Sequence, residues 1–428
     1  MLKILTTQNA DPSEFLTRDI QEAKNVEEAV SAILKEVKEG GDAALIALEE
    51  KFDKAKLYSP EVTKDEWENA VESTDKALLL SLEKAAENIR IFHEKQVSHG
   101  FQIEKEGVVL GQRVSALDKV GIYVPGGTAR YPSTVLMNAI PAVIAGVKEI
   151  VMVTPPDPDG SIPNYLLAAA KIAGVSRVFR VGGAQAIAAL TYGTQSVPKV
   201  DKIVGPGNIF VATAKKQVFG LVDIDMIAGP SEILIIADDS ANPVYVAADL
   251  LSQAEHDRLA SAILLTPSES LAKKVNEELE RQTKLLPRAD IAMDSLLSNG
   301  RLIVTKDLDE CAEIANRIAP EHLELSVSDP WDLFKKIRHA GSVFLGHHTP
   351  EALGDYLAGT NHTLPTSGTA RFSSPLSVDD FIKKTQFISY SEQALLDVAE
   401  DIVRIAETEG LHAHAQSVIV RQEGGKNQ

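Results

Sequence analysis

Gln253 and His256 lie three residues apart and could supply half of a metal site. They follow a short apolar run, Ile233–Asp238, whose β-branched residues are typical of a buried strand. Asn242 and Pro243 then provide an N-cap and a first helical residue, so a helix is predicted to begin there. Residues three apart share one face of a helix, which would point an imidazole and an amide oxygen the same way. Alone, such a pair is more often a partly buried histidine bonded to a neighbour.

Further ligands are expected in the second half of the chain, because eight of the ten histidines lie at or after His256. Asp355, on a short predicted helix, offers a carboxylate, and His412 or His414 offers a second imidazole. Together with Gln253 and His256 these residues would give two nitrogens and two oxygens. That donor set suits Zn²⁺, or Mn²⁺ or Co²⁺. Ligands spread over about 160 residues are a weak signal by spacing alone.

An adjacent carboxylate and imidazole, Glu321 and His322, form a candidate acid/base pair. Neighbouring residues diverge on a helix, but in a loop or at the start of a strand both can point at one small molecule. Each could then move a different proton. Dipeptides of this kind are also common on protein surfaces, so the pair alone does not establish catalysis.

Three glycine-rich loops each follow a predicted strand and precede a helix, where free backbone N–H groups can hold a phosphate. They are Val124-Pro-Gly-Gly127, Gly182-Gly-Ala-Gln185 and Gly205-Pro-Gly-Asn208. None is a GxGxxG motif or a P-loop, and each alone fits an ordinary tight turn. At the same end of one sheet, the three together predict a ligand crevice.

Cys311 is the one residue that could capture an aldehyde as a thiol nucleophile. Ile314 and Ile318 follow it at helical spacing, and this stripe favours a small core residue. We therefore expect Cys311 to be structural.

Strands alternate with helices along most of the chain, which indicates parallel α/β sheets with right-handed crossovers. The predicted strands lie near residues 149–154, 177–181, 202–204, 233–237, 261–266, 301–305 and 342–346, with another starting at residue 119. The predicted helices lie near residues 164–173, 243–257, 269–283, 308–318 and 330–338.

The two ends of the chain differ from this alternation. Residues 1–18 resemble a short arm, and a helical pattern runs from Asp19 to about Val97, with a helix end at Gly40-Gly41. The period changes to two around residues 108–116, with Gly111-Gln112 as the expected turn. A mostly helical tail is predicted over Val378–Lys384 and Ser391–Glu409.

Composition excludes several classes of protein. A chain of 428 residues exceeds the size of one hydrophobic core, so at least two domains are expected. A net charge of −18 argues against nucleic acid and anionic membrane surfaces as partners. A single cysteine fits a reducing compartment. The first residues do not resemble a secretory signal and no apolar run approaches the roughly 20 residues of a membrane span, so a cytoplasmic location is predicted.

The combination of Ala228-Gly-Pro-Ser-Glu232 with Gln253-Ala-Glu-His256 resembles the signature of the histidinol dehydrogenase family. The resemblance covers nearly the whole chain, to about Val420. It implies a four-electron oxidation of L-histidinol through L-histidinal to L-histidine, which consumes two NAD⁺ and one water. These are the last steps of histidine biosynthesis.

The same resemblance implies a role for particular residues. The ligands of one Zn²⁺ per subunit would be Gln253, His256, Asp355 and His414. The acid/base pair would be Glu321 and His322. Substrate contacts, besides His322 and the metal ligands, would be Ser231, His362 and Glu409. NAD contacts would be Tyr123, Gln185 and Asn208, one in or beside each glycine-rich loop. His412 has no role in the family pattern.

The family fold implies two incomplete Rossmann-like parallel-sheet domains with helical N-terminal and C-terminal extensions, exchanged between the subunits of a homodimer. The tail with Glu409 and His414 would then complete the active site of the partner. The expected division is an arm (1–18), a first Rossmann-like domain with the metal and acid/base residues (19–122 and 233–375), a second on the NAD side (123–232), and a C-terminal extension (376–428).

Two other functions compete with histidinol oxidation. A related zinc- and NAD-dependent dehydrogenase could act on another small alcohol, such as a sulfonated diol. Glu409 and His362 suit a cationic amino alcohol and argue for histidinol. A non-catalytic nucleotide-binding protein would leave the His/Asp set merely structural, and Glu321→Gln would then have no effect.

Overall fold

The structure is an α/β fold built on parallel sheets, as the sequence predicts. The computed structural model describes residues 2–7, 24–126 and 130–424. Its strands are β1 (Ile4–Thr6), β2 (Phe101–Lys105), β3 (Val108–Ala116), β4 (Lys119–Tyr123), β5 (Glu149–Val153), β6 (Arg177–Phe179), β7 (Lys202–Val204), β8 (Asp223–Ile224), β9 (Glu232–Ala237), β10 (Ser261–Thr266), β11 (Arg301–Val304), β12 (His322–Ser326), β13 (Ser342–Leu345) and β14 (Ile382–Tyr390).

Helices connect most of these strands. They are α1 (Lys24–Phe52), α2 (Lys64–Ser73), α3 (Lys76–His93), α4 (Pro132–Ala145), α5 (Asn164–Ala173), α6 (Gly183–Tyr192), α7 (Ile209–Val218), α8 (Pro243–Ala254), α9 (Glu269–Thr283), α10 (Ala289–Asn299), α11 (Leu308–Ile318), α12 (Pro330–Phe334), α13 (Glu351–Tyr356), α14 (Glu392–Thr408) and α15 (His412–Gly424). Single 3₁₀ turns cover Glu94–Gln96, Thr369–Arg371 and Val378–Phe381. Among the helices in these described ranges, none has both the length and the apolar character that crossing a bilayer requires.

A six-stranded parallel sheet has the order β1-β11-β10-β9-β12-β13. Its central strand β9 is buried along its whole length. Ile233 and Ile235 pack into the core with α8 and α9, whereas Leu234 and Ile236 pack into the core with α11. This alternation explains why the run is continuously apolar, since successive side chains point to opposite, covered faces.

A five-stranded parallel sheet has the order β6-β5-β4-β7-β8. The chain starts at β4, runs outward through β5 and β6, and then continues on the other side with β7, so the order reverses between β4 and β7. Open parallel sheets bind ligands at the carboxyl ends of the strands beside such a reversal. The sheet therefore offers a ligand crevice at its β4/β7 edge.

The N-terminal helices belong with the five-stranded sheet. Helix α1 packs on α6 and α7, and its apolar stripe, which includes Val30, Val37 and Leu45, lies in the same core as the strands. Strand β4 is also part of this sheet. The predicted division instead grouped residues 19–122 with the first domain, because a local helical pattern does not indicate which sheet a helix covers.

The first residues extend the six-stranded sheet. Strand β1 pairs in parallel with β11, and Leu5 is buried there. The rest of the predicted arm, residues 8–18, and the predicted helix start at residues 19–23 lie outside the described residues. The helix end predicted at Gly40-Gly41 is a kink within α1, where Gly41 has φ 57°.

Residues Val97–Ala116 and Ile382–Gln428 form a second, smaller compact unit. In it β3 pairs antiparallel with both β2 and β14, and α14 packs against α15. Two local predictions are wrong here. Gly111 lies inside β3 opposite Phe387, and not in a turn. The helix predicted over Val378–Lys384 is a 3₁₀ turn that leads into β14, because pairing with β3 satisfies the backbone.

Candidate active site

The predicted acid/base pair lies at the amino edge of the six-stranded sheet. His322 is the first residue of β12, and Glu321 precedes it. The neighbouring strand fixes both side chains through one residue, since the Glu232 amide donates to Glu321 Oε2 at 2.9 Å and the Glu232 carbonyl oxygen lies 3.0 Å from His322 Nδ1. The Gln253 amide nitrogen lies 2.9 Å from the same Nδ1. These contacts hold the imidazole by one nitrogen and leave Nε2 for other partners.

Carboxylates surround the second nitrogen of His322. Its Nε2 lies 3.8 Å from Glu351 Oε1 and 3.9 Å from Asp355 Oδ1, and one ligand atom from each of the three residues lies within 4.8 Å of the others. Glu351 and Asp355 project from the same face of α13 because they are four residues apart. One nitrogen and two carboxylate oxygens form a donor set that suits a divalent cation.

The predicted metal ligands fall into two groups. Gln253 is buried at the end of α8 beside His322, and Asp355 lies in the carboxylate cluster. His256 lies two residues after the end of α8, and its charge influences the pKa values of Glu351 and His362, which places it near both. His414 lies in the second compact unit and is exposed there on α15.

Burial and charge set the protonation of the acid/base pair. Burial raises the pKa of Glu321 to about 8, although the neighbouring His322 charge opposes this. For His322 burial favours the neutral ring, but the carboxylates of Glu321, Glu351 and Asp355 outweigh it and raise the pKa to about 9. Both groups can therefore exchange protons near neutral and mildly alkaline pH.

The predicted substrate contacts are distributed similarly. His362 lies beside the carboxylate cluster, with Nδ1 3.1 Å from the Asp355 carbonyl oxygen. Ser231 is half-buried and directly precedes Glu232, the residue that holds Glu321 and His322. Glu409 lies in the second unit, exposed at the end of α14.

One contact connects this site with the five-stranded sheet. Thr134 lies in the first turn of α4, which follows β4, and its hydroxyl oxygen lies 3.3 Å from His362 Nε2. The carboxyl edge of the five-stranded sheet and the amino edge of the six-stranded sheet therefore meet near His362. A dinucleotide at the first edge would lie next to groups at the second.

Two predicted NAD contacts flank the order reversal of the five-stranded sheet. Tyr123 is the last residue of β4, and Asn208 is the N-cap of α7, accepting bonds from the Phe210 and Val211 amides at 3.0 and 3.2 Å. The loop between β7 and α7 passes close to β4. Gly205 has φ 109°, and a Cβ there would lie 2.2 Å from the Tyr123 carbonyl oxygen.

The third predicted NAD contact lies beside a residue that the sequence did not reveal. Gln185, near the start of α6, donates through Nε2 to Glu49 Oε1 at 2.8 Å and is almost fully buried. The Tyr123 hydroxyl accepts from the Gly183 amide at 3.2 Å and so reaches the same loop. Tyr123, Gln185 and the β6–α6 loop thus form one bonded group.

A family model described as histidinol dehydrogenase matches residues 16–422. The chain belongs to the histidinol dehydrogenase family. A protein named histidinol dehydrogenase from Clostridium acetobutylicum is 55% identical over 98% of this chain and 99% of its own length. One from Aquifex aeolicus is 57% identical over 92% of each. The crystal structure of histidinol dehydrogenase from Elizabethkingia anophelis matches with a TM-score of 0.94 at 41% identity, covering 99% of this chain and 98% of that one.

Membership of the histidinol dehydrogenase family makes the chain an oxidoreductase, so the prediction of an enzyme over a non-catalytic nucleotide-binding protein is confirmed. The predicted fold class is confirmed as well. The thiol of Cys311 is fully buried, and burial raises its pKa to about 12, which agrees with a core residue.

Sequence patterns did not identify two acidic residues near the candidate sites of this member of the histidinol dehydrogenase family. Glu351 stands four residues before Asp355, and that helical spacing is a signal that could have revealed it. Glu49 is more than 70 residues away in the sequence from the three glycine-rich loops, and no local pattern distinguishes it from the neighbouring acidic residues.

Proposed function

We propose that the protein oxidises L-histidinol through L-histidinal to L-histidine, with two NAD⁺ and one water consumed per histidinol. The observation that carries this proposal is the buried Glu321–His322 pair, next to a cluster of cation ligands and within one contact of the nucleotide edge. Two successive hydride transfers need a base for each oxidation and a group that activates water between them. This pair supplies both.

We infer that Gln253, His256 and Asp355 hold one Zn²⁺ per subunit, with His414 as the fourth ligand. The fit rests on donor chemistry, since ring and amide donors stand beside the buried carboxylate of Glu351 and the half-buried carboxylate of Asp355. Bound there, zinc would hold the imidazole and amino nitrogens of the substrate and so orient its alcohol carbon.

The chain's own residues then move the protons. His322 accepts the hydroxyl proton through Nε2 as the hydride leaves for the nicotinamide, since its Nδ1 is engaged by the Glu232 backbone. Glu321 takes a proton from the water that adds to the aldehyde carbon. After releasing the first proton to solvent, His322 accepts a hydroxyl proton from the hydrated aldehyde as the second hydride leaves. Two hydrides and the water oxygen account for the change from alcohol to acid.

We infer that NAD⁺ binds at the carboxyl edge of the five-stranded sheet with Tyr123, Gln185 and Asn208 as contacts. Their place beside the β4/β7 reversal supports this assignment. The division into a metal-side domain that includes residues 233–375 and an NAD-side domain over residues 123–232 is part of the same proposal.

We also propose a homodimer in which the tail carrying Glu409 and His414 completes the partner's site. A mixing experiment tests this arrangement. Glu321→Gln and His414→Asn should each remove steady-state turnover of L-histidinol to L-histidine, but a hybrid dimer retains one intact site if the tail crosses. Refolding or co-expressing the two variants in equal amounts then restores about 25% of wild-type activity. A tail that serves its own chain gives no restoration.

The number of NADH molecules formed per substrate molecule tests the reaction itself. Histidinol oxidation yields two NADH for each L-histidinol, whereas a simple alcohol dehydrogenase yields one. A sulfonated diol tested in parallel separates the competing substrate class. NADH formation from the anionic diol and none from L-histidinol would overturn the proposal in favour of that alternative.

A further inference from the structure

A buried glutamate on the N-terminal helix α1 holds the loop that carries the proposed NAD contact Gln185. Glu49 is 0% exposed. Its Oε1 accepts from the Gly182 amide at 3.1 Å and from Gln185 Nε2 at 2.8 Å. In the described part of the chain no N–H or O–H donor bonds its Oε2, and the Asp53 carboxyl is the neighbouring acidic group. A single oxygen therefore bonds both the loop backbone and the amide side chain.

The loop needs these bonds because its conformation is constrained. Gly182 caps α6, and Gly183 has φ 57°, which glycine adopts without strain. The Gly183 amide donates to the Tyr123 hydroxyl. Two consecutive N–H groups at the start of α6 are thus bonded to side chains from α1 and β4, which fixes the direction of the loop.

We propose that Glu49 is a positioning residue that orients Gln185 and the β6–α6 loop for the dinucleotide. The inference rests on the proposed function, because it takes Gln185 as an NAD contact. Removing the acceptor would leave the Gly182 amide and the Gln185 side chain buried without partners. An unpartnered buried donor is costly enough that the loop would rearrange.

The neutral character of Glu49 decides which substitutions can replace it. Burial, reinforced by the charge of Asp53, raises the pKa of Glu49 to about 8, although the bond from Gln185 opposes this. Glutamine has the same shape and presents one acceptor oxygen, which is all that the two bonds use. Methionine has similar length but offers no comparable acceptor, and aspartate is one methylene too short to reach.

The test combines NADH binding, followed by fluorescence, with steady-state kinetics of the zinc-loaded enzyme. We expect E49M to raise the Kd for NADH and the KM for NAD⁺ roughly tenfold to hundredfold, with kcat within about threefold. E49D raises both at least about fivefold. E49Q stays within about threefold of wild type. E50M is the matched control, since Glu50 is the exposed neighbour on the same helix, and it changes neither constant.

Coupling to Gln185 separates positioning from a general loss of stability. If Glu49 acts through Gln185, the double variant E49M/Q185L binds NADH no more weakly than whichever of E49M and Q185L has the lower affinity. Additive losses of NADH affinity in the double variant overturn the inference. Wild-type NADH affinity in both E49M and E49D also overturns it, as does an E49Q variant that binds NADH as weakly as E49M. If E49M does not fold, E49D and E49Q decide by the same criteria. Wild-type protein that binds no NADH overturns the cofactor assignment, and the inference with it.

Discussion

Replacing Glu321 by glutamine should separate the two oxidations. Glutamine keeps the size of the side chain and an oxygen that can accept the 2.9 Å bond from the Glu232 amide, so the local structure is retained. The variant cannot take a proton from water. A positioned general base typically contributes about 10²- to 10⁴-fold in rate, and we expect the aldehyde-to-acid step to slow by that factor. Oxidation of the alcohol, which uses His322, should slow by less than about tenfold.

The assay supplies L-histidinol and L-histidinal separately to zinc-loaded enzyme and follows NADH in the first turnover. With E321Q, L-histidinol should yield about one rapid NADH per site and L-histidinal should react slowly. His322→Gln, in contrast, should slow both oxidations. Glu313→Gln, at an exposed position on α11, is the matched control and should change neither. Equal slowing of both halves by E321Q would refute the division of roles.

Three further predictions concern the nucleotide loop, the tail and a glycine. The pKa of Glu49 is raised from 4.5 to about 8, so the folded state binds the proton more tightly and stability falls as pH rises from 4.5 to 8. The free energy of unfolding of E49Q, measured by denaturant titration, should therefore rise relative to wild type between pH 5 and pH 9, by up to about 4 kcal/mol; no rise would contradict the burial cost. His414→Asn should lower zinc content well below one per subunit by elemental analysis, and unchanged zinc would remove His414 from the ligand set. Gly205→Ala should destabilise the fold by at least about 2 kcal/mol in denaturant titration, because φ is 109° and its Cβ would meet the Tyr123 carbonyl; Gly220→Ala, with φ 97° but nothing within 4 Å, should cost less.

Local chemistry was sufficient to predict part of the site. Asn242 caps α8 by accepting from the Val244 amide, as its residue type predicts, and so the orientation of Gln253 follows from sequence spacing. Glu321 and His322 lie at the start of a strand, where neighbouring side chains can reach one ligand. These features depend on hydrogen bonds and periodicity within a few residues, and the sequence displays both.

Long-range pairing could not be predicted in the same way. Strand β14 is a strand because nine of its residues pair with β3, more than 260 positions earlier in the chain. The partnership of Glu49 with Gln185 joins residues 136 positions apart. Neither β14 nor Glu49 carries a local pattern that specifies its partner. The sequence therefore predicted a helix for part of β14 and no role for Glu49.

The two sheets contribute opposite edges to the proposed site, and backbone geometry explains why. The rule for open parallel sheets places ligands at the carboxyl ends of strands beside an order reversal, and the proposed NAD contacts Tyr123 and Asn208 lie at that edge. In the six-stranded sheet the corresponding edge, between β9 and β12, is closed by internal bonds such as that from the Ser328 amide to Asp238 at 2.9 Å. Its amino edge instead uses the N–H and carbonyl of Glu232 to fix an acid and a base.

Two histidines lie at opposite ends of β12. Ser326, at the carboxyl end of the strand, lies 2.9 Å from His347 Nδ1, and His322 begins the same strand. Residues four apart on an extended strand are about 13 Å apart. His322 and the His347 ring beside Ser326 are therefore too far apart to act on one small substrate. The Thr134–His362 contact joins the nucleotide edge to the amino end, where His322 lies. We therefore assign the proposed chemistry to the amino edge, whereas at the opposite edge His347 bonds Ser240 and Ser326.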